Sequence, residues 1–175
     1  MPAFVWLWFW LKEDESPEPR VLLLLAFLGG MLAIPLAYVL EKISITQILY
    51  LAGSAPDETT AALWGLASIG IAAFIEEFVK YISVLVLVFW RADYNEPADA
   101  MIYLITAALG FAALENTLYL QDSFSSTLLR GFAISNLRFI GATLLHALSS
   151  ATLGYFIAGS FWRGKVRKEI GIFLG

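Results

Sequence analysis

Charged residues, cysteine and histidine are all scarce in this chain of 175 residues. Only 15% of the residues are charged, whereas soluble domains carry about 25%. The absence of cysteine excludes disulfide bonds and thiolate metal ligands. The single histidine, His146, excludes a zinc site built mainly from histidines. No stripe of basic residues of the kind that binds nucleic acid is present, so we expect no nucleic-acid partner.

Apolar residues dominate instead. They make up 59% of the chain, above the 45–50% that is typical of soluble proteins. The N-terminal apolar stretch lacks both a basic segment before it and a small-residue cleavage site, so we expect no cleavable signal peptide. The composition predicts an integral membrane protein that forms a single domain over residues 1–175, in contact with membrane lipid.

The apolar runs predict an all-α, polytopic transmembrane helical bundle with short interfacial or re-entrant segments. A spanning helix needs about 20 predominantly apolar residues. Four segments meet this length: 21–40, 61–90, 98–120 and 131–162. Residues 1–11 are too short to span and carry tryptophans, which predicts an interfacial anchor, and residues 43–53 are predicted to form a separate interfacial or re-entrant piece.

The positions of lysine and arginine in the loops predict the orientation. Cytoplasmic loops carry an excess of these residues. If the chain crosses the membrane at each of the four spans, seven lysines and arginines lie on one side and two, Lys42 and Arg130, lie on the other. We therefore expect both termini in the cytoplasm, at a prokaryotic-type plasma (inner) membrane.

Glu76, Glu77 and Lys80 lie inside the second apolar run. A charged residue at the centre of a spanning helix costs about 2.5–3.5 kcal/mol on insertion scales, so such residues are candidates for a functional site. Residues i and i+4 share a helix face, which allows Glu76 to pair with Lys80, and Glu77 lies an i+3 step from Lys80. A purely structural ion pair is the alternative, but it leaves Glu77 without a partner.

The third and fourth runs add further polar residues: Glu115, Asn116, Arg138 and His146. Each has an alternative reading on its own. Glu115 can reach water near its helix end, Asn116 can join two helices by a hydrogen bond, and His146 can be a packing residue. Arg138 suits a counter-ion to a carboxylate or a snorkelling residue.

Together these helices predict a cluster of Glu76, Glu77, Glu115 and His146. A buried carboxylate can exchange protons near neutral pH, and a glutamate can activate water while a histidine donates to a carbonyl or a leaving amine. The sequence therefore favours general acid–base chemistry within the membrane.

Four motifs in order resemble the PrsW family of intramembrane proteases, which are related to the CAAX protease and bacteriocin-processing enzymes. They are EE-x-x-K at 76–80, GFAALEN at 110–116, Arg138, and HALSSA-x-x-G at 146–154. The resemblance covers residues 61–165 and implies hydrolysis of peptide bonds in membrane-anchored substrates, including anti-sigma factors. It also implies that Glu76, Glu77 and His146 are essential, with Glu115 and Asn116 close by and Lys80 and Arg138 balancing charge.

One feature of the family is not found here. Family members commonly continue into a helix with a second histidine in an H-x-x-x-N/D pattern, whereas this sequence stops at Gly175. The sequence is therefore expected to be either a piece of a longer protein or a minimal member.

The family is often described as metal-dependent. Zinc would have to use a set such as Glu77, Glu115 and His146, and no H-E-x-x-H motif is present. We favour a water activated by glutamate without a cofactor, and keep zinc as the alternative. A non-catalytic membrane scaffold or chaperone and a proton-coupled transporter component are the competing functions, since buried Glu, Lys and His also form proton relays.

Overall fold

The structure is a computed structural model that describes residues 18–53, 57–91, 93–126 and 141–173. Over these ranges the chain is helical and no strand is found, which confirms the all-α prediction. The helices are α1 (Arg20–Ala52), α2 (Glu58–Leu87), α3 (Pro97–Ser126) and α4 (Thr143–Phe173). The predicted anchor at residues 1–11 and Arg138 lie outside the described residues.

Side-chain caps fix where two of the helices begin. Asp57 precedes α2, and its Oδ1 accepts a hydrogen bond of 2.7 Å from the backbone N–H of Thr60, as expected of an N-cap residue. The buried carboxylate of Asp99 accepts hydrogen bonds from the backbone N–H groups of Asn95 and Glu96, at 2.9 and 2.8 Å. These bonds fold the polar turn before α3 onto the first turn of that helix.

The first helix is longer than the sequence predicted. Residues 43–52 continue α1 instead of forming a separate interfacial or re-entrant piece, so that prediction was wrong. No glycine or proline interrupts residues 36–52, and the hydroxyl of Thr46 donates to the carbonyl of Lys42 one turn earlier, at 2.7 Å. The helix ends at Gly53, whose φ of 67° is one that other residues rarely adopt.

Helix α3 lies at the centre of the bundle, packed against α1 and α4, while α2 packs mainly against α1. Glycines let α1 and α3 touch through their backbones. A Cβ atom at Gly30 would lie 1.9 Å from the carbonyl oxygen of Ala107, and one at Gly110 would lie 2.0 Å from that of Phe27. Such close approach through small residues is typical of helix packing in membranes.

The outer surface of the bundle is strongly apolar. Large side chains such as Leu32, Phe74 and Phe156 are 70% exposed or more. Among the described residues, two helical segments are long and apolar enough to cross a bilayer, Arg20–Tyr50 and Pro97–Tyr119. These correspond to the first and third predicted spans, and crossings by the second and fourth stay predictions.

Candidate functional site

The carboxylate of Glu77 is held by three hydrogen-bond donors. Its Oε1 accepts from the Nζ of Lys80 at 2.6 Å and from the hydroxyl of Ser149 at 2.8 Å. Its Oε2 accepts from the hydroxyl of Ser150 at 2.6 Å. Lys80 is one turn away on α2, whereas both serines come from α4, so Glu77 joins the two helices.

Lys80 is completely buried and contacts residues of its own helix, α2, and of α3 and α4. Besides its ion pair with Glu77, its Nζ lies 2.9 Å from the Nδ1 of His146 on α4. The same ammonium lies 4.6 Å from the centre of the Phe111 ring on α3, within the range of a cation–π interaction. A buried charge is tolerated when it is paired and hydrogen-bonded, which is the situation of Lys80.

His146 lies between two other glutamates. Its Nε2 is 3.1 Å from Oε2 of Glu115 on α3, and its Nδ1 is 3.6 Å from Oε2 of Glu76 on α2. The imidazole is largely buried and its ring centre lies 5.4 Å from that of Phe111. The residues that the sequence predicted to converge from three helices are therefore close together.

Asn116 makes a different contact between α3 and α4. The side-chain amide of Asn116 is buried and donates to the hydroxyl of Thr143 at 3.0 Å, which joins α3 to the first residue of α4. This is the contact that the helix-joining alternative predicts. The structure does not describe the surroundings of Arg138.

The sequence did not single out three residues of this region for the roles they take. Ser149 and Ser150 appear in the sequence only as part of the motif at 146–154, although their spacing of three and four from His146 puts them on the same side of α4. Glu41 on α1 lies close enough to Glu76 and Glu115 for their charges to repel its carboxylate. With Glu41 included, all four helices bring an ionisable side chain towards the site.

The described side chains do not form the donor set that zinc needs. Glu76 and Glu115 approach opposite nitrogens of one imidazole, so their oxygens do not converge on a single point with it. Both oxygens of Glu77 already accept hydrogen bonds. Within the described ranges no group of three His, Cys, Asp or Glu residues is arranged to hold a metal ion. In the described residues Glu77, Glu115 and His146 are therefore not arranged as three ligands of one ion, and the choice between a water activated by glutamate and zinc stays a prediction.

Comparison with known proteins points to one family. The profile of a family described as "PrsW family intramembrane metalloprotease" matches residues 18–175. "Protease PrsW" of Geobacillus kaustophilus is 30% identical over 162 residues, which are 92% of this chain and 64% of the relative. "Protease PrsW" of Bacillus subtilis is 29% identical over 154 residues, which are 86% of this chain and 61% of the relative. The chain thus spans less than two thirds of the length of these relatives, and no solved structure matches it.

Proposed function

We propose that this chain, which belongs to the PrsW family of intramembrane metalloproteases, hydrolyses peptide bonds of membrane-anchored proteins. The family membership agrees with the resemblance seen in the sequence motifs. The observation that carries the proposal is the meeting of Glu76, Glu115 and His146 from three different helices. Charged groups kept together in an apolar bundle are costly, and catalysis gives a reason to keep them.

Glu76 is the glutamate best suited to activate water. The side chains of Glu76 and Glu77 are almost equally exposed, at 23% and 22%, but within the described part of the chain neither oxygen of Glu76 accepts a hydrogen bond. Glu77 is its immediate neighbour, but Glu77 is already occupied by Lys80 and two serines. An oxygen that is free to accept and open to solvent is what a general base requires. In this proposal Glu76 is the base and Glu77 holds the site together.

The reaction needs only groups of the protein and one water molecule. Glu76 removes a proton from water, and the oxygen of that water bonds to the carbonyl carbon of the substrate. His146 and Asn116 donate hydrogen bonds to the carbonyl oxygen as its charge develops. The proton held by Glu76 passes to the amide nitrogen, the carbon–nitrogen bond breaks, and an acid and an amine are released. Lys80 and Arg138 balance the negative charge of the carboxylates.

The proposal includes a location and a kind of substrate. The chain crosses a prokaryotic-type plasma membrane four times with both termini in the cytoplasm, as the distribution of lysine and arginine indicates. The substrate is a protein with a single membrane anchor, similar to an anti-sigma factor, whose chain can enter the bundle beside α2 and α4.

A comparison of protein termini in membranes tests the proposal. The chain is expressed as wild type, as Glu76→Gln, and as Glu58→Gln, a control in the exposed first turn of the same helix. New termini in or beside membrane segments of other proteins are expected with the wild type and with Glu58→Gln, and they should disappear with Glu76→Gln. Unchanged termini in a folded Glu76→Gln protein would contradict the proposal. No new termini with any folded variant would favour the non-catalytic scaffold.

A further inference from the structure

The contact between Lys80 and His146 determines which nitrogen of the imidazole carries its hydrogen. The Nζ of Lys80 lies 2.9 Å from Nδ1 of His146, well within hydrogen-bond distance. An ammonium group has three donors and no acceptor, so Nδ1 has to be the acceptor in this pair. The same Nζ donates to Oε1 of Glu77 at 2.6 Å, so Lys80 is the donor in this contact as well.

The other nitrogen follows from this assignment. A neutral imidazole has one N–H group, and if Nδ1 accepts, then Nε2 is the donor. Oε2 of Glu115 lies 3.1 Å from Nε2, where a carboxylate can accept that hydrogen. The opposite tautomer would direct an N–H of His146 against an N–H of Lys80. In that tautomer the hydrogen is on Nδ1, and the Oε2 of Glu76 lies 3.6 Å from Nδ1, beyond hydrogen-bond distance.

We propose that Lys80 is a positioning residue that holds His146 in the Nε2–H tautomer, with that hydrogen directed towards Glu115. The lysine is in turn fixed by Glu77, which Ser149 and Ser150 hold from α4. The positioning of His146 by Lys80 extends the proposed function. Only its effect on catalysis rests on that function, whereas the tautomer itself does not.

The assignment has a consequence for Glu76. Because Lys80 occupies Nδ1, the imidazole does not donate to Glu76, and that carboxylate stays available to water. The Nε2–H of His146, on the other edge of the ring, is the donor that the proposed reaction uses for the oxygen of a substrate carbonyl. Lys80 thereby separates the two roles that the proposed reaction assigns to Glu76 and His146.

The single histidine makes the tautomer directly measurable. With ¹⁵N-labelled histidine, this chain of 175 residues in micelles gives one pair of ring nitrogen signals, because it contains a single histidine, His146. Chemical shifts and ring couplings distinguish a protonated nitrogen from an unprotonated one. At neutral pH we expect Nε2 protonated and Nδ1 unprotonated in the wild type. A wild-type spectrum with the hydrogen on Nδ1 overturns the proposal without any variant.

A variant then tests the role of Lys80. Lys80→Met keeps the length of the side chain and removes the donor, so the Nδ1–H tautomer, which Lys80 opposes in the wild type, should become populated beside the Nε2–H tautomer that Glu115 accepts. The control Lys42→Met, on the exposed part of α1, should leave the wild-type pattern unchanged. A folded Lys80→Met protein with the wild-type pattern would refute the positioning role.

Loss of the buried charge could also unfold the protein, which circular dichroism would reveal. In that case the double variant Lys80→Met/Glu77→Gln replaces the ion pair by two neutral groups, a change that proteins often tolerate. The tautomer of His146 in the double variant is then measured: a changed pattern supports the positioning role of Lys80, and the wild-type pattern refutes it. If the tautomers behave as expected but no variant and no wild-type protein cleaves membrane proteins, then the proposed function fails and the positioning role stands.

Discussion

Glu76 and Glu77 are adjacent in the sequence, yet the structure predicts opposite effects when each is replaced by glutamine. Glu77 accepts hydrogen bonds from Lys80, Ser149 and Ser150, and it is the partner of a lysine that is completely buried. Glu76 accepts no hydrogen bond from the described part of the chain. Glu77→Gln should therefore reduce stability strongly, whereas Glu76→Gln should remove activity and leave stability nearly unchanged.

The expected difference is several kilocalories per mole. Breaking a buried ion pair by removing one partner costs about 3–5 kcal/mol, because the remaining charge is left uncompensated. Glutamine at position 77 also turns an amide N–H₂ towards groups that donate to the carboxylate. Glu76→Gln removes a partly exposed charge without breaking a hydrogen bond, so we expect about 1 kcal/mol or less.

Thermal unfolding of the full chain in micelles measures this difference. The 6 tryptophans provide a fluorescence signal, and helix content by circular dichroism provides a second one. For a domain of this size, 1 kcal/mol corresponds to about 2–4 °C in Tm, so Glu77→Gln should lower Tm by roughly 10 °C. Adding Lys80→Met to Glu77→Gln should recover part of this loss, because it removes the uncompensated charge.

Equal Tm values for the two single variants would refute the reasoning. They would mean that the hydrogen bonds of Glu77 do not hold α2 to α4 in the folded protein. A larger loss for Glu76→Gln than for Glu77→Gln would reverse the assignment of base and structural carboxylate.

Two further predictions concern the helices that support the site. Gly110→Ala should lower the free energy of unfolding by about 2–3 kcal/mol, since the new Cβ would lie 2.0 Å from the carbonyl oxygen of Phe27. Gly70→Ala, where the added atom meets nothing within 4 Å, should instead be neutral or stabilise by up to about 1 kcal/mol. Asp99→Ala should cost about 1–2 kcal/mol through loss of two backbone hydrogen bonds before α3, with the exposed Asp93→Ala within about 0.5 kcal/mol of wild type. Equilibrium unfolding in mixed micelles measures the free energy of unfolding of all four variants. Equal effects of Gly110→Ala and Gly70→Ala would contradict the close packing of α1 on α3, and equal effects of Asp99→Ala and Asp93→Ala would contradict the role of Asp99 before α3.

The helices were largely predictable because apolar run length and helix-starting residues are local signals. Asp57, which caps α2 in the structure, is of a residue type that marks helix starts when it stands just before an apolar run. The extent of α1 was not predictable in the same way. A hydropathy window ends at Glu41 and Lys42, but charge at a membrane boundary does not break a helix, and the backbone bonds continue through residues 43–52.

The site was predictable only in part. Burying charge in an apolar run is expensive, so Glu76, Glu77 and Lys80 stood out without any structure. Which of them pair with which residue of α4 depends on the rotation of that helix about its axis, and periodicity alone does not define this rotation. The sequence allowed Lys80 to pair with Glu76 at i+4 and placed Glu77 at an i+3 step, whereas the structure pairs Lys80 with Glu77 and adds the contact with His146.

The way Glu77 joins α2 to α4 also decides which variant should be used to capture a substrate of the proposed reaction. The backbones of these two described helices have no extended close contact, and side-chain contacts connect them instead, among them the bonds from Ser149 and Ser150 to Glu77 and the contact of Lys80 with His146. Glu77→Gln would weaken this connection, whereas Glu76→Gln would leave the hydrogen bonds of Glu77 in place. A Glu76→Gln protein is therefore the suitable bait for isolating uncut proposed substrates from membranes.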